Sequence, residues 1–323
     1  MFFYSLLNFF QYNIIAFSYI TQMKTIKYME DYQKEHFRSF SSAGEEVNKS
    51  IVKKMRLGKY LSLGQMLFTV LSLISLLPIK SDRSGILYII MMIKRARVPY
   101  IVELFHSLHF YVVHFFAFQV VYCYNNVMLY FVLHLHFQYL LLIEDCKRLE
   151  YGLDTYGYTN KYHRTIESRL NAVLSHYQTV SRFQILIDDL FRRPMFFVVW
   201  VGLVALMFVS YLLVEVDLGS DILLVFMVWI SIIEIALHFV AYGQLYADQR
   251  NNLWDTLLDF QWINWNSRNR RTYQMFLKHV NQETVIKPGG LINLDLTFLI
   301  WFGRKTVSAV AFLSTIEEIN SSN

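Results

Sequence analysis

Between Leu104 and Ile143 the chain runs for 40 residues without Asp, Glu, Lys or Arg. No other stretch limits the fold as much. It contains no proline or glycine to turn a hairpin. A single helix of that length is about 60 Å long, roughly twice the hydrocarbon core of a bilayer. The stretch also holds Asn125, Asn126, His134, His136 and Gln138, which lipid would not tolerate unpartnered. The expectation is one long helix that crosses a membrane, leaves it, and stays packed in protein.

Other charge-poor stretches repeat the signal. Met1–Met23, Tyr60–Ile79 and Pro194–Val214 carry no charge, Ile222–Ala247 carries only Glu234, and Pro288–Ile316 carries Asp295, Arg304 and Lys305. Each is long enough for the roughly 20 apolar residues a spanning helix needs, whereas Ser84–Ile93 is too short. Composition agrees: 55 % of the 323 residues are hydrophobic and only 17 % are charged. That excludes a disordered chain or a disulfide scaffold and opposes a soluble enzyme. The expected fold is all-α, a polytopic membrane helical bundle in one domain over residues 1–323. Its six spans lie at about 1–23, 60–79, 101–143, 194–214, 222–247 and 288–316.

Charge orients the spans. With Thr21–Lys59 on the cytoplasmic side, 23 of the 30 Lys and Arg fall on that side, as the positive-inside rule requires. The loop Glu215–Asp221 has three acids and no base and falls outside. The +5 net charge then belongs to a membrane face, and no nucleic-acid partner is expected. The cytoplasmic segments are expected to be helical too. Lys161–Arg193 carries Ile166, Leu170, Val173, Leu174, Tyr177, Val180 and Phe183 at helical spacing. Pro194 suits the first turn of a following helix. A cytoplasmic anchor helix is expected over about 248–287.

Chemistry of other kinds finds little support. His106 and His109 stand three apart, and His134 and His136 point to different faces of a helix. Neither pair has a Cys or carboxylate at ligand spacing, so no metal site is expected. No catalytic residues and no cofactor are expected either: no Ser-His-Asp spacing, P-loop or dinucleotide motif is present. Cys123 and Cys146 are expected to be free thiols. Glu234, in mid-span, is costly in lipid and therefore a functional candidate. The aromatic residues suggest a site. Phe9, Tyr12, His106, Phe110, Tyr111, His114, Phe208 and Tyr211 all fall at external ends of spans. Aromatic walls with a few polar groups suit a small apolar ligand; ordinary packing and an interfacial aromatic belt account for the same residues.

The C-terminal third resembles the insect odorant receptor family. The matching residues are His238-Phe239-Val240-Ala241-Tyr242-Gly243, Trp262, Arg270-Arg271, Phe276-Leu277, Pro288-Gly289-Gly290, Leu294-Asp295-Leu296-Thr297-Phe298 and Lys305-Thr306-Val307-Ser308. Pro99 before the long helix and Ser175-His176-Tyr177 before the fifth span of the family extend the likeness toward the N-terminus. The family has seven spans and a cytoplasmic N-terminus, so Met1–Met23 aligns with its second span and the first is expected to be missing. The related gustatory receptors end in Thr-Tyr followed by Gln-Phe. Thr306-Val307 and Phe312-Leu313 stand there instead, which favours odorant over gustatory reception.

The resemblance implies a receptor that is not an enzyme. It would be the tuning subunit of an odorant-gated cation channel, a heterotetramer with a shared co-receptor. Its location would be the plasma membrane of olfactory sensory neuron dendrites. Its ligand would be a small apolar volatile, held by the aromatic set above. Thr306, Val310, Leu313 and Ser314 would line the pore, with Val310 as the gate. Trp254, Trp262 and Trp265 would anchor the subunit contact. The alternatives are a gustatory-type channel and, less favoured, a transporter, for which paired broken spans and internal repeats are missing.

Overall fold

The computed structural model describes residues 2–40, 44–75, 100–153, 159–215, 222–281 and 293–321, though not every side chain within them. Seven α-helices account for most of these residues: α1 (Phe2–His36), α2 (Glu45–Ser75), α3 (Tyr100–Lys147), α4 (Asn160–Glu215), α5 (Ile222–Leu258), α6 (Ser267–Val280) and α7 (Leu296–Ser321). Four of them contain stretches long and apolar enough to cross a membrane: Tyr122–Lys147, Asn160–Tyr211, Val225–Leu258 and Leu296–Ile316. The expected spans 1–23 and 60–79 fall on α1 and α2. Side chains up to Ala16 and residues 76–79 lie outside the described residues, as do Ser84–Ile93, Pro99, the loop after Glu215, and Pro288-Gly289-Gly290.

The 40-residue charge-free run lies within the single 48-residue helix α3, about 72 Å long. α4 is longer still, with 56 residues. Pro194 does not start a new helix, as its fit to a first turn suggested; it sits inside α4. A proline there leaves the Leu190 carbonyl without its usual donor. Packing outweighs that loss: Leu190, Phe191, Met195 and Val198 around it are all buried. The expected anchor helix over 248–287 is also two elements. α5 continues to Leu258, a 3₁₀ turn follows at Trp262–Asn264, and α6 is separate. The break has a local cause. Asn266 is extended and its side chain accepts the Asn269 N–H, which caps α6.

α4 is the central member, packed on α1, α3, α5, α6 and α7, while α3 also packs on α1, α2 and α5. One continuous core follows α3 and α4 from Met128 and Met195 down to Leu149 and Tyr162 and reaches Tyr273 and Phe276 of α6. Cys146 is buried in it, and both cysteines are free.

Candidate functional site

The end of the bundle that the charge pattern places in the cytoplasm is held by a buried polar network. Gln138 on α3 donates to the Arg38 carbonyl at 3.0 Å and accepts the Arg38 N–H at 3.3 Å. Those two bonds fix its amide orientation. His176 on α4, only 4 % exposed, has Nε2 at 3.1 Å from Gln138 Oε1 and Nδ1 at 3.1 Å from Asp145 Oδ2. The two ring nitrogens thus face oxygens on opposite sides, the Gln138 amide and the Asp145 carboxylate. Arg38 pairs with Asp145 at 2.5 Å. Three separate parts of the chain are locked together around one imidazole. A second knot lies one turn or two away: Tyr139 donates to Gln184 Oε1 at 2.6 Å, and Tyr246 donates to the Gln184 carbonyl at 3.3 Å.

Nearby, Lys54 Nζ lies 2.7 Å from His136 Nε2. Lysine can only donate, so the imidazole proton sits on Nδ1. Burial lowers the Lys54 ammonium below the usual lysine range. His136 Nδ1 and Gln249 Oε1 have no hydrogen-bond partner, and both residues line a narrow gap between α3 and α5 with no room for a water molecule. Pockets for small ligands run from about 300 to 1,000 Å³, so this gap is not one. His134 is half-buried between the rings of Tyr130 and Phe40. Among the described residues no three His, Cys, Asp or Glu side chains converge as metal ligands.

The expected aromatic site divides into two parts. Phe9 and Tyr12 lie on α1 and His106, Phe110, Tyr111 and His114 on α3, with their side chains outside the described residues. Phe208 and Tyr211 are half-buried near the outer end of α4. Between them Ser210 accepts the Trp229 indole N–H of α5 at 3.0 Å, and Trp229 stacks on Phe226. One turn deeper, the mid-span Glu234 has Oε1 at 2.9 Å from His238 Nδ1. The outer ends of α4 and α5 therefore meet through aromatic rings with a few polar groups among them.

α7 reaches the bundle by one close approach. A Cβ on Gly243 would lie 1.7 Å from the Leu294 carbonyl oxygen, so only glycine admits the backbone that leads into α7. Phe298 and Phe302 then pack into the core. Thr306 is also turned inward, 8 % exposed, with its hydroxyl donating to the Phe302 carbonyl at 3.0 Å. Val310, Leu313 and Ser314 are half-buried. The open side of the helix carries Val307 and Phe312, 71 % and 65 % exposed, together with Arg304, Lys305 and Ala311. Only 17 % of its spanning stretch is buried, against 61 % for α3.

The three tryptophans differ. Trp265 is 2 % exposed inside its own chain, where its indole donates to Glu150 Oε1 at 2.9 Å and its ring meets Tyr273 edge-on. It offers no surface to a neighbouring subunit. Burial also raises the Tyr273 phenol above its usual range. Trp254 and Trp262 are half-buried, and Leu258 on α5, Ile263 in the 3₁₀ turn and Met275 on α6 are exposed. Sequence reasoning missed Gln138, Asp145 and Arg38 as a network and Gly243 as the contact that admits α7. A Gln inside an apolar run, and a Gly inside a helix next to a paired acid and imidazole, are the signals that point to them.

A family profile described as 7tm Odorant receptor matches residues 3–303. Among solved structures, the insect olfactory receptor OR5 from Machilis hrabei superposes with a TM-score of 0.72 at 12 % identity, covering 96 % of this chain and 79 % of that one. The same receptor in complex with eugenol gives 0.68 at 11 % identity, with the same coverage. No curated protein sequence matches. The profile spans nearly the whole chain and the receptor shares its fold, so the chain belongs to the 7tm odorant receptor family.

Proposed function

We propose that the chain is the odorant-tuning subunit of a heteromeric ligand-gated cation channel, assembled with a shared co-receptor in the plasma membrane of olfactory sensory neuron dendrites. The observation that carries this reading is α7. It is a helix apolar enough to span, yet its Val307 and Phe312 face is open. A helix seated so shallowly on its own chain needs other surfaces, and the axis of an oligomer supplies them. The pore is lined from Val307 toward Ala311, flanked by Val310 and Ser314, with Thr306 and Leu313 supporting that face from the protomer side. An apolar ring of this kind closes by dewetting. The subunit contact is formed by Trp254 and Trp262 with the exposed Leu258, Ile263 and Met275. Trp265 holds that surface in shape from within.

The ligand is a small apolar volatile among the outer ends of α1, α3, α4 and α5. Phe208 and Tyr211 form its deep wall, and Phe9, Tyr12, His106, Phe110, Tyr111 and His114 complete it. Odorant opens the gate only by binding the open state more tightly than the closed one. Co-expression with a co-receptor, with currents recorded against an odorant panel that includes eugenol, tests the assignment. Currents that shift their odorant ranking in Phe208→Ala are the expected result. Surface-expressed protein that answers no odorant would sink it. Cysteine at Val307 should react with a water-borne thiol reagent in the open channel, and cysteine at Thr306 should not.

A further inference from the structure

α2 turns one narrow seam inward. Ile51, Gly58 and Gln65, seven residues apart, are buried. Ile51 packs with Phe137 and Leu141 of α3, a Cβ on Gly58 would come within 2.6 Å of Leu133 Cδ1, and Ser62 hydrogen-bonds Asn126. On the opposite side Lys53, Arg56 and Lys59 are all exposed. At 100° per residue they span about 120° of the helix surface.

Their charge is left uncompensated. Glu45 and Glu46 stand at the far end of the helix, where Glu45 pairs with Lys49 at 2.7 Å. From Val47 to Ser75 α2 carries no acid, and α3 has none between Leu104 and Ile143. Among the described residues Lys53, Arg56 and Lys59 make no ion pair. Their depth is also specific. The apolar run begins at Tyr60, so Lys59, Arg56 and Lys53 lie about 1.5, 6 and 10 Å beyond it along the axis. The headgroup zone of a leaflet is about 5–8 Å thick, so Lys59 and Arg56 lie within it and the long Lys53 side chain can reach back to it from just beyond. Exposed Met55, Leu57 and Leu61 flank the cations and suit the boundary with lipid.

We propose that Lys53, Arg56 and Lys59 bind the headgroup of a polyphosphorylated inner-leaflet lipid, with the Arg56 guanidinium taking one phosphate in a two-point contact. The arginine fork matches phosphate geometry, and the two ammonium groups add point charges on either side. The site rests on the membrane topology proposed above and does not depend on channel activity.

The test uses the full chain purified in detergent and a fluorescent short-chain phosphatidylinositol 4,5-bisphosphate, read by anisotropy. K53Q/R56Q/K59Q should weaken capture on the order of a hundredfold. K161Q/R271Q/K278Q removes the same charge far from the boundary and should change it less than about threefold. K53R/K59R should retain binding, which separates charge from folding damage. Equal losses in the two glutamine triples would overturn the proposal in favour of net charge alone. Equal competition by soluble inositol trisphosphate would overturn it in favour of a free-phosphate site. Equal capture of short-chain phosphatidylserine would remove the polyphosphate requirement and with it the proposal. Because the readout is lipid capture, a receptor that answers no odorant leaves this result standing.

Discussion

The two ends of the bundle are held together by different means. At the anchor end, α3, α4 and α6 bury Phe183, Phe276 and Tyr273 completely or nearly so, and His176 ties Gln138 to Asp145 among them. At the outer end, α7 leaves most of its spanning stretch uncovered and α5 buries only 24 % of its own. One end carries its stability within the chain. The other leaves apolar surface open to whatever surrounds the chain. Such a division suits a receptor, because the parts that must respond to a ligand cannot also be the most tightly packed.

Four substitutions test that contrast. Trp265→Ala should have the largest effect. It removes a buried indole and orphans Glu150, for a loss of about 3–5 kcal/mol, visible as a sharp drop in the melting temperature of the detergent-solubilised protein. Gly243→Ala should cost about 1–3 kcal/mol through overpacking against the Leu294 carbonyl and should loosen α7. Protease cleavage before Leu296 would report it, and unchanged cleavage would mean that α7 does not depend on this contact. His176→Ala leaves Gln138 Oε1 and Asp145 each short of a partner, for about 1–3 kcal/mol; His176→Gln should recover part of it. Val307→Ala should change thermal stability by less than about 0.5 kcal/mol while altering channel conductance. A melting shift for Val307→Ala as large as that for Trp265→Ala would erase the distinction between the two ends.

Much of the fold was legible in the sequence, and for identifiable reasons. The charge-free run from Leu104 to Ile143 required a long helix, because nothing in it turns a chain. Of the residues at helical spacing from Ile166 to Phe183, Ile166, Leu170, Val173, Val180 and Phe183 are buried on α4, and Leu174 and Tyr177 pack half-buried against the same core. Two boundaries were not legible. Pro194 fits a first turn by local chemistry, and only the packing of Phe191, Met195 and Val198 shows why the helix continues through it. The break between α5 and α6 depends on burial of Trp265 and on the Asn266 cap, one of them a long-range contact. The same limit applies to the site. Exposed aromatic residues and buried ones look alike in sequence, so Trp265 was grouped with Trp254 and Trp262. The residues expected to line a pore show the same limit. Helical spacing groups Thr306, Val310, Leu313 and Ser314, but which side of that group faces its own chain is set by Gly243 and Leu294, two positions outside the helix.

The continuity of α4 has a mechanical side. At about 84 Å it has the proportions of a lever. Pro194 divides it into an outer arm of about 32 Å and an inner arm of about 51 Å. One degree of rotation about that point moves the inner end by about 0.9 Å and the outer end by about 0.6 Å. His176 and Gln184, about 27 and 15 Å from Pro194 on the inner arm, move by only about 0.5 and 0.3 Å for the same degree, so the bonds that hold the neighbouring helices in register sit close to the pivot.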